Sequence, residues 1–123
     1  FPTWPLMGDS FIPPALYRDG FVSVFEQVTT IHFNHRMLAY ATGLIVVTAA
    51  LHSVLRSHDL RVRIASVLMM AAVTLQIVLG IGTVLSHVNV TIAAGHQSGA
   101  VVLLTTVLYW VHCKRTERMP SVS

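Results

Sequence analysis

The stretch VTIAAGHQSGAVVLLTTVLYWVHC, residues 90–113, decides the fold, because 24 residues pass without an Asp, Glu, Lys or Arg. A helix needs roughly 20 apolar residues to cross the hydrocarbon core of a bilayer. Working outward, residues 64–86 form a second charge-free run of 23 and residues 37–55 a third of 19. Lipid admits only helices or closed barrels. Barrel strands alternate polar and apolar residues over about ten positions, and GLIVVTAAL and VLMMAAV do not alternate. The expectation is an all-α integral membrane bundle of three transmembrane helices, over 28–56, 63–87 and 91–113. Residues 1–27 precede them as a loop and 114–123 follow as a basic tail.

Composition agrees. The chain has 123 residues, 54% hydrophobic and 11% charged, with mean hydropathy +0.67. Soluble domains carry about 25% charged residues. The cations mark sidedness: Arg56, Arg61 and Arg63 lie around the first link, and Lys114, Arg115 and Arg118 follow the third span. The turn between spans two and three has none. By the positive-inside rule the first link and the C-terminus face the cytoplasm or matrix, and residues 1–27 face out. The net charge of +3 thus reports topology and calls for no nucleic-acid partner. A lone Cys113 offers no intrachain disulfide. The chain opens on Phe1 and a Pro-rich loop, and it reads as a piece of a longer protein.

Seven histidines are many for so apolar a chain, and polar groups within a membrane mark function. With Thr29 or Thr30 starting the first span and Thr91 the third, His35 and His96 both lie about 8 Å inward. Two histidines on separate helices at one depth are what bis-histidine ligation of a heme iron requires. The geometry predicts facing imidazoles, their nitrogens about 4 Å apart around an iron, by analogy with metal–imidazole bonds of about 2 Å. His52 and His112 form a second pair toward the opposite end. On straight helices His112 points about 160° away from His96, and His52 about 260° round from His35. One pocket cannot serve both pairs, and the second reads as interfacial. His58 reads as solvated and His87 as a turn residue. His32 shares the face of His35 and is the second-choice ligand.

The residues flanking the pair support two readings each. Gly95 and Gly99 frame His96 in a G-x-x-x-G pattern, which suits either helix packing or contact with a flat macrocycle. Gly80 and Gly82 pose the same choice on span two, where packing is preferred. Arg36 suits recognition of a carboxylate such as a heme propionate, and equally a snorkelling interfacial role.

FPTWPLMGDSFIPP, IHFNHRMLAY, LQIVLGIGT and AAGHQSGAVVLLT, taken in order, resemble the C-terminal half of heme A synthase over nearly the whole chain. That resemblance implies an eight-helix membrane enzyme of two similar four-helix halves, in the bacterial plasma membrane or the mitochondrial inner membrane. It implies oxidation of a methyl group of heme O to the formyl group of heme A, destined for cytochrome oxidase. The C-terminal half of the family holds a heme b cofactor, with His35 and His96 in the positions of its axial ligands. Implied partners are the N-terminal half of the enzyme, heme O, membrane lipid, heme O synthase and cytochrome oxidase assembly factors. His32 stands where the substrate half of the family has a catalytic glutamate and the cofactor half a glutamine. The cysteine pair of some bacterial members is missing, and the spans hold no carboxylate. No catalytic residue is therefore assigned here, and this piece alone is expected to be inactive. Two other readings of the histidines remain: a bis-histidine heme b electron-transfer subunit, and a heme-free structural membrane subunit.

Overall fold

The charge-free stretches fold as long helices in a computed structural model that describes residues 1–119. After a short 3₁₀ turn at Gly20–Val22 come α1 (Ser23–Glu26), α2 (Val28–Arg56), α3 (Leu60–Leu85) and α4 (Val90–Arg118). At 1.5 Å per residue α2 and α4 are about 44 Å long and α3 about 39 Å, more than a bilayer's hydrocarbon core requires. All three are long and apolar enough to span a membrane, and the described residues form no β-strand. The chain is a membrane helical bundle.

The helix ends differ from the expected boundaries for local reasons. Span two was expected from residue 63 and begins at Leu60, because Asp59 caps it through Oδ1, which accepts the Arg61 backbone N–H at 2.8 Å. That bond comes first among the causes that hold the half-buried Asp59 carboxyl below its ordinary range. The same helix stops at Leu85 rather than 87, since His87 and Val88 take positive φ of 55° and 63°. For a β-branched valine that backbone is costly. Span three starts at Val90, one residue before Thr91, with Asn89 Oδ1 accepting the N–H groups of Thr91 and Ile92 at 3.0 and 3.3 Å. It runs past 113 to Arg118, where Lys114 and Glu117 pair at 2.9 Å one turn apart. Residues 120–123 of the expected tail lie outside the described residues.

The segment ahead of α2, read as loop to residue 27, contains the 3₁₀ turn and α1 and is tied to α2. Neither Thr29 nor Thr30 caps that helix, which starts ahead of both. Thr30 is fully buried, accepts the Tyr17 backbone N–H at 3.3 Å and donates to Gln27 Oε1 at 2.9 Å. The Tyr17 hydroxyl lies 2.6 Å from Asn34 Oδ1.

Helix α3 lies between its neighbours and packs on both. The core gathers Val46 and Ala50 of α2, Met69 and Val73 of α3, and Leu103, Val107 and Trp110 of α4. A smaller cluster of Val62, Ala65 and Cys113 continues it toward the basic end. Lipid tails are as apolar as leucine, so close packing rather than water exclusion holds such helices together. Small buried residues, Ala50, Ser53, Ala65, Ser66 and Ala72, permit that approach. Trp110 Nε1 donates to Ser53 Oγ at 3.1 Å, and the Ser57 hydroxyl bonds the Glu117 carboxylate. Both bonds lie toward the basic end. The remaining apolar side chains, Leu38, Leu44, Ile45, Leu104 and Leu108 among them, face outward.

Candidate functional site

The up–down–up course of α2, α3 and α4 brings the start of α2, the end of α3 and the start of α4 to one end. His35 lies about two turns into α2 and His96 under two turns into α4. Their rings face one another with centroids 6.2 Å apart and planes at 86°. Among the described residues no other pair of imidazoles is in such contact. His52, His112, His58 and His87 are exposed, as is His35, while His96 is half-buried. His32 is half-buried one turn before His35.

The glycines divide in an order the sequence did not foretell. Gly95 and Gly99 both face α3: a Cβ on Gly95 would meet Leu79 at 3.8 Å, and one on Gly99 would collide with the Gln76 amide. They serve packing against α3. The glycine that shapes the histidine site is Gly80, assigned to packing on sequence grounds. A Cβ there would stand 2.9 Å from His96 Cε1. Its bare Cα is the wall against which the imidazole lies.

Arg36 does not snorkel to the interface. It is buried, and its terminal amino groups donate to four backbone carbonyls of the N-terminal loop. The shorter of these bonds reach Thr3 at 2.8 Å and Leu6 at 3.0 Å. The Thr3 hydroxyl completes the clasp, donating to the Leu6 carbonyl at 2.9 Å and accepting the Gly8 N–H at 3.0 Å. Gly8 has φ +68°, which suits its turn. The arginine beside His35 therefore seats the loop at this end of the bundle.

Sequence reasoning missed Gln76. It lies on α3 one turn before Gly80, and its Nε2 donates to the His96 carbonyl at 2.9 Å. Its signal was present: it is the one side-chain amide in the charge-free residues 64–86, and polar groups at such depth are costly.

Two imidazoles offered from separate helices can bind one metal ion from opposite sides. No group of three or more His, Cys, Asp or Glu gathers anywhere among the described residues. A bare ion would thus lack a cage here, whereas a metal carrying its own equatorial donors needs only two axial ones.

The sequence profile of the cytochrome oxidase assembly protein family (COX15-CtaA) matches residues 1–108. The chain is 38% identical over 112 residues to the heme A synthase of Nitrosospira multiformis, covering 89% of this chain and 31% of that protein. It is 39% identical over 111 residues to that of Paramagnetospirillum magneticum, again covering 89% and 31%. Against the human heme A synthase COX15 the identity is 38% over 113 residues, with 87% and 27% covered. The chain spans less than a third of the length of these relatives. No solved structure matches it.

Proposed function

This chain belongs to the cytochrome oxidase assembly protein family, and from that premise we propose that it is the heme b-holding, C-terminal part of a heme A synthase. The observation that carries the reading is the 6.2 Å separation of the His35 and His96 ring centres. Two metal–imidazole bonds of about 2 Å each, plus about 1 Å from each nitrogen to its ring centre, amount to about 6 Å. The separation is of that size; the rings meet edge-on at 86° with the nitrogen-bearing edge of His96 toward Gly80, so the imidazoles would turn to hold one iron between them. The bare Cα of Gly80 lets His96 sit back against α3. A heme b bound here supplies a one-electron redox centre whose potential is set by its axial ligands and burial.

The reaction proposed for the whole enzyme is oxidation of a methyl group of heme O to the formyl group of heme A. Written as a half-reaction, methyl and one water give formyl, four protons and four electrons. The part assigned to this chain is to hold the redox centre that helps carry those electrons. By the resemblance the substrate pocket and its glutamate are assigned to the remainder of the enzyme; the three long helices here contain Glu117 as their sole carboxylate, in the last turn of α4. With the basic end on the cytoplasmic or matrix side, the histidine end and the clasped loop face outward. The membrane is the bacterial plasma membrane or the mitochondrial inner membrane.

The test is a reduced-minus-oxidised visible spectrum of the purified full-length protein, with extraction of its hemes. A b-type band that is lost on replacement of His35 or His96 is expected. Full occupancy by heme with both histidines replaced would sink the proposal.

A further inference from the structure

Gln76 carries more than helix packing explains. Its bond to the His96 carbonyl is the sole side-chain hydrogen bond between α3 and α4 among the described residues. The receiving oxygen lies within α4, so the amide takes its second lone pair. The two residues also interlock sterically. Gln76 Oε1 presses on the bare Cα of Gly99, and the His96 ring lies on the bare Cα of Gly80. Gly80 is one turn from Gln76 on α3, and Gly99 one turn from His96 on α4, so each side chain occupies the space beside the other's helix.

A second, independent observation concerns the same two residues. Among the described residues, the buried side-chain polar atoms without a hydrogen-bond partner are Gln76 Oε1 and His96 Nδ1. The first accepts only. The second is a donor in one of the two neutral tautomers of imidazole. Each supplies what the other lacks. In metal sites the hydrogen bond at one ring nitrogen decides which nitrogen binds the metal.

We propose that Gln76 is the positioning residue for His96: its amide N–H fixes the height of the histidine by gripping that residue's own carbonyl, and its oxygen accepts the Nδ1 proton. The Nε2 lone pair is thereby left for the iron. That bond is not formed in the structure, where Oε1 lies against Gly99 and the ring against Gly80, and its closure belongs to the proposal. The inference rests on the heme reading above, but the tautomer of His96 can be measured without heme.

The experiment uses the full-length protein with ¹⁵N-labelled histidine, as wild type, Gln76→Leu, Gln76→Glu, Gly99→Ala and the double variant Gln76→Leu/Gly99→Ala. Gly43→Ala is the control, since its Cβ would make an ordinary 3.9 Å contact with Ile77. Nitrogen shifts of His96 are recorded before heme is added, then hemin is titrated. Wild type and Gly43→Ala are expected to carry the proton on Nδ1. Gln76→Leu is expected to lose that preference and to bind hemin on the order of tenfold more weakly. Gln76→Glu, which keeps an acceptor, restores the tautomer. Gly99→Ala displaces the amide without altering it and should match Gln76→Leu, the double variant being no worse than either. A wild-type tautomer in Gln76→Leu, or losses that add in the double variant, overturns the proposal. Should wild type take up no hemin while Gln76 still controls the tautomer, the heme reading fails and the positioning role stands.

Discussion

The two ends of the same three helices are built on opposite terms. Toward the basic end, Val46, Ala50, Met69 and Val73 interlock with Val107 and Trp110, and the buried Ser53 and Ser57 hydroxyls both have partners. Toward the histidine end the contacts between helices involve imidazole rings, a glutamine and bare glycines, and two buried polar atoms go unpaired. An unsatisfied buried polar group costs about 1–3 kcal/mol, so these two atoms favour a partner. Packing that holds a bundle together in lipid need not be spread evenly along it. One end can be given to cohesion and the other kept free for a ligand.

The sharpest way to break this comparison is to exchange histidines between the ends. His35→Ala and His96→Ala are each expected to abolish heme retention, while His52→Ala and His112→Ala, which lie outside that ring contact, leave the visible spectrum unchanged. Equal loss from all four would erase the distinction. Gly80→Ala comes next. Its methyl stands 2.9 Å from His96 Cε1, and displacing the ring should weaken heme binding on the order of tenfold, read by hemin titration with the helix content unaltered. Unchanged affinity would mean that α3 does not shape the site.

The converse substitutions lie at the packed end. Met69→Ala removes one of the largest fully buried side chains and should cost about 2–3 kcal/mol in thermal or denaturant unfolding in detergent. The heme spectrum at low temperature should not change; a shifted spectrum would show the ends to be coupled. The smallest effect is expected from Trp110→Phe, which loses the bond to Ser53 and about 1 kcal/mol. Restoration of stability by Ser53→Ala in the Trp110→Phe background would confirm that an unpaired hydroxyl carries the cost.

How far the sequence could be read follows the same division. Three spans were legible because charge is excluded from long stretches, a signal independent of neighbours. His35 and His96 stood out through matched depth, and the structure brings their rings to 6.2 Å. Helix register was not legible, because helices apolar on every side lack the polar face that would fix their rotation. Gly80 and Gly82 do pack on α4, against His96 and Ile92, but that the packed group at Gly80 is the imidazole was not foreseeable, nor that Gly95 and Gly99 face α3. Gln76 escaped notice for the same reason: its partner is a backbone carbonyl on another helix. Arg36 was read through its charge as a carboxylate partner or a snorkelling residue. Its actual acceptors, the carbonyls of Phe1, Thr3, Pro5 and Leu6, belong to every residue type and leave no mark in composition.

That clasp also imposes an order of assembly. Residues 1–6 leave the ribosome before their anchor, which follows 30 to 35 positions later. The loop has nothing to hold its carbonyls until α2 has entered the bilayer and carried Arg36 to the correct side. This loop, made before α2, thus sets after it. A helix inserted in the wrong direction would leave it without its anchor.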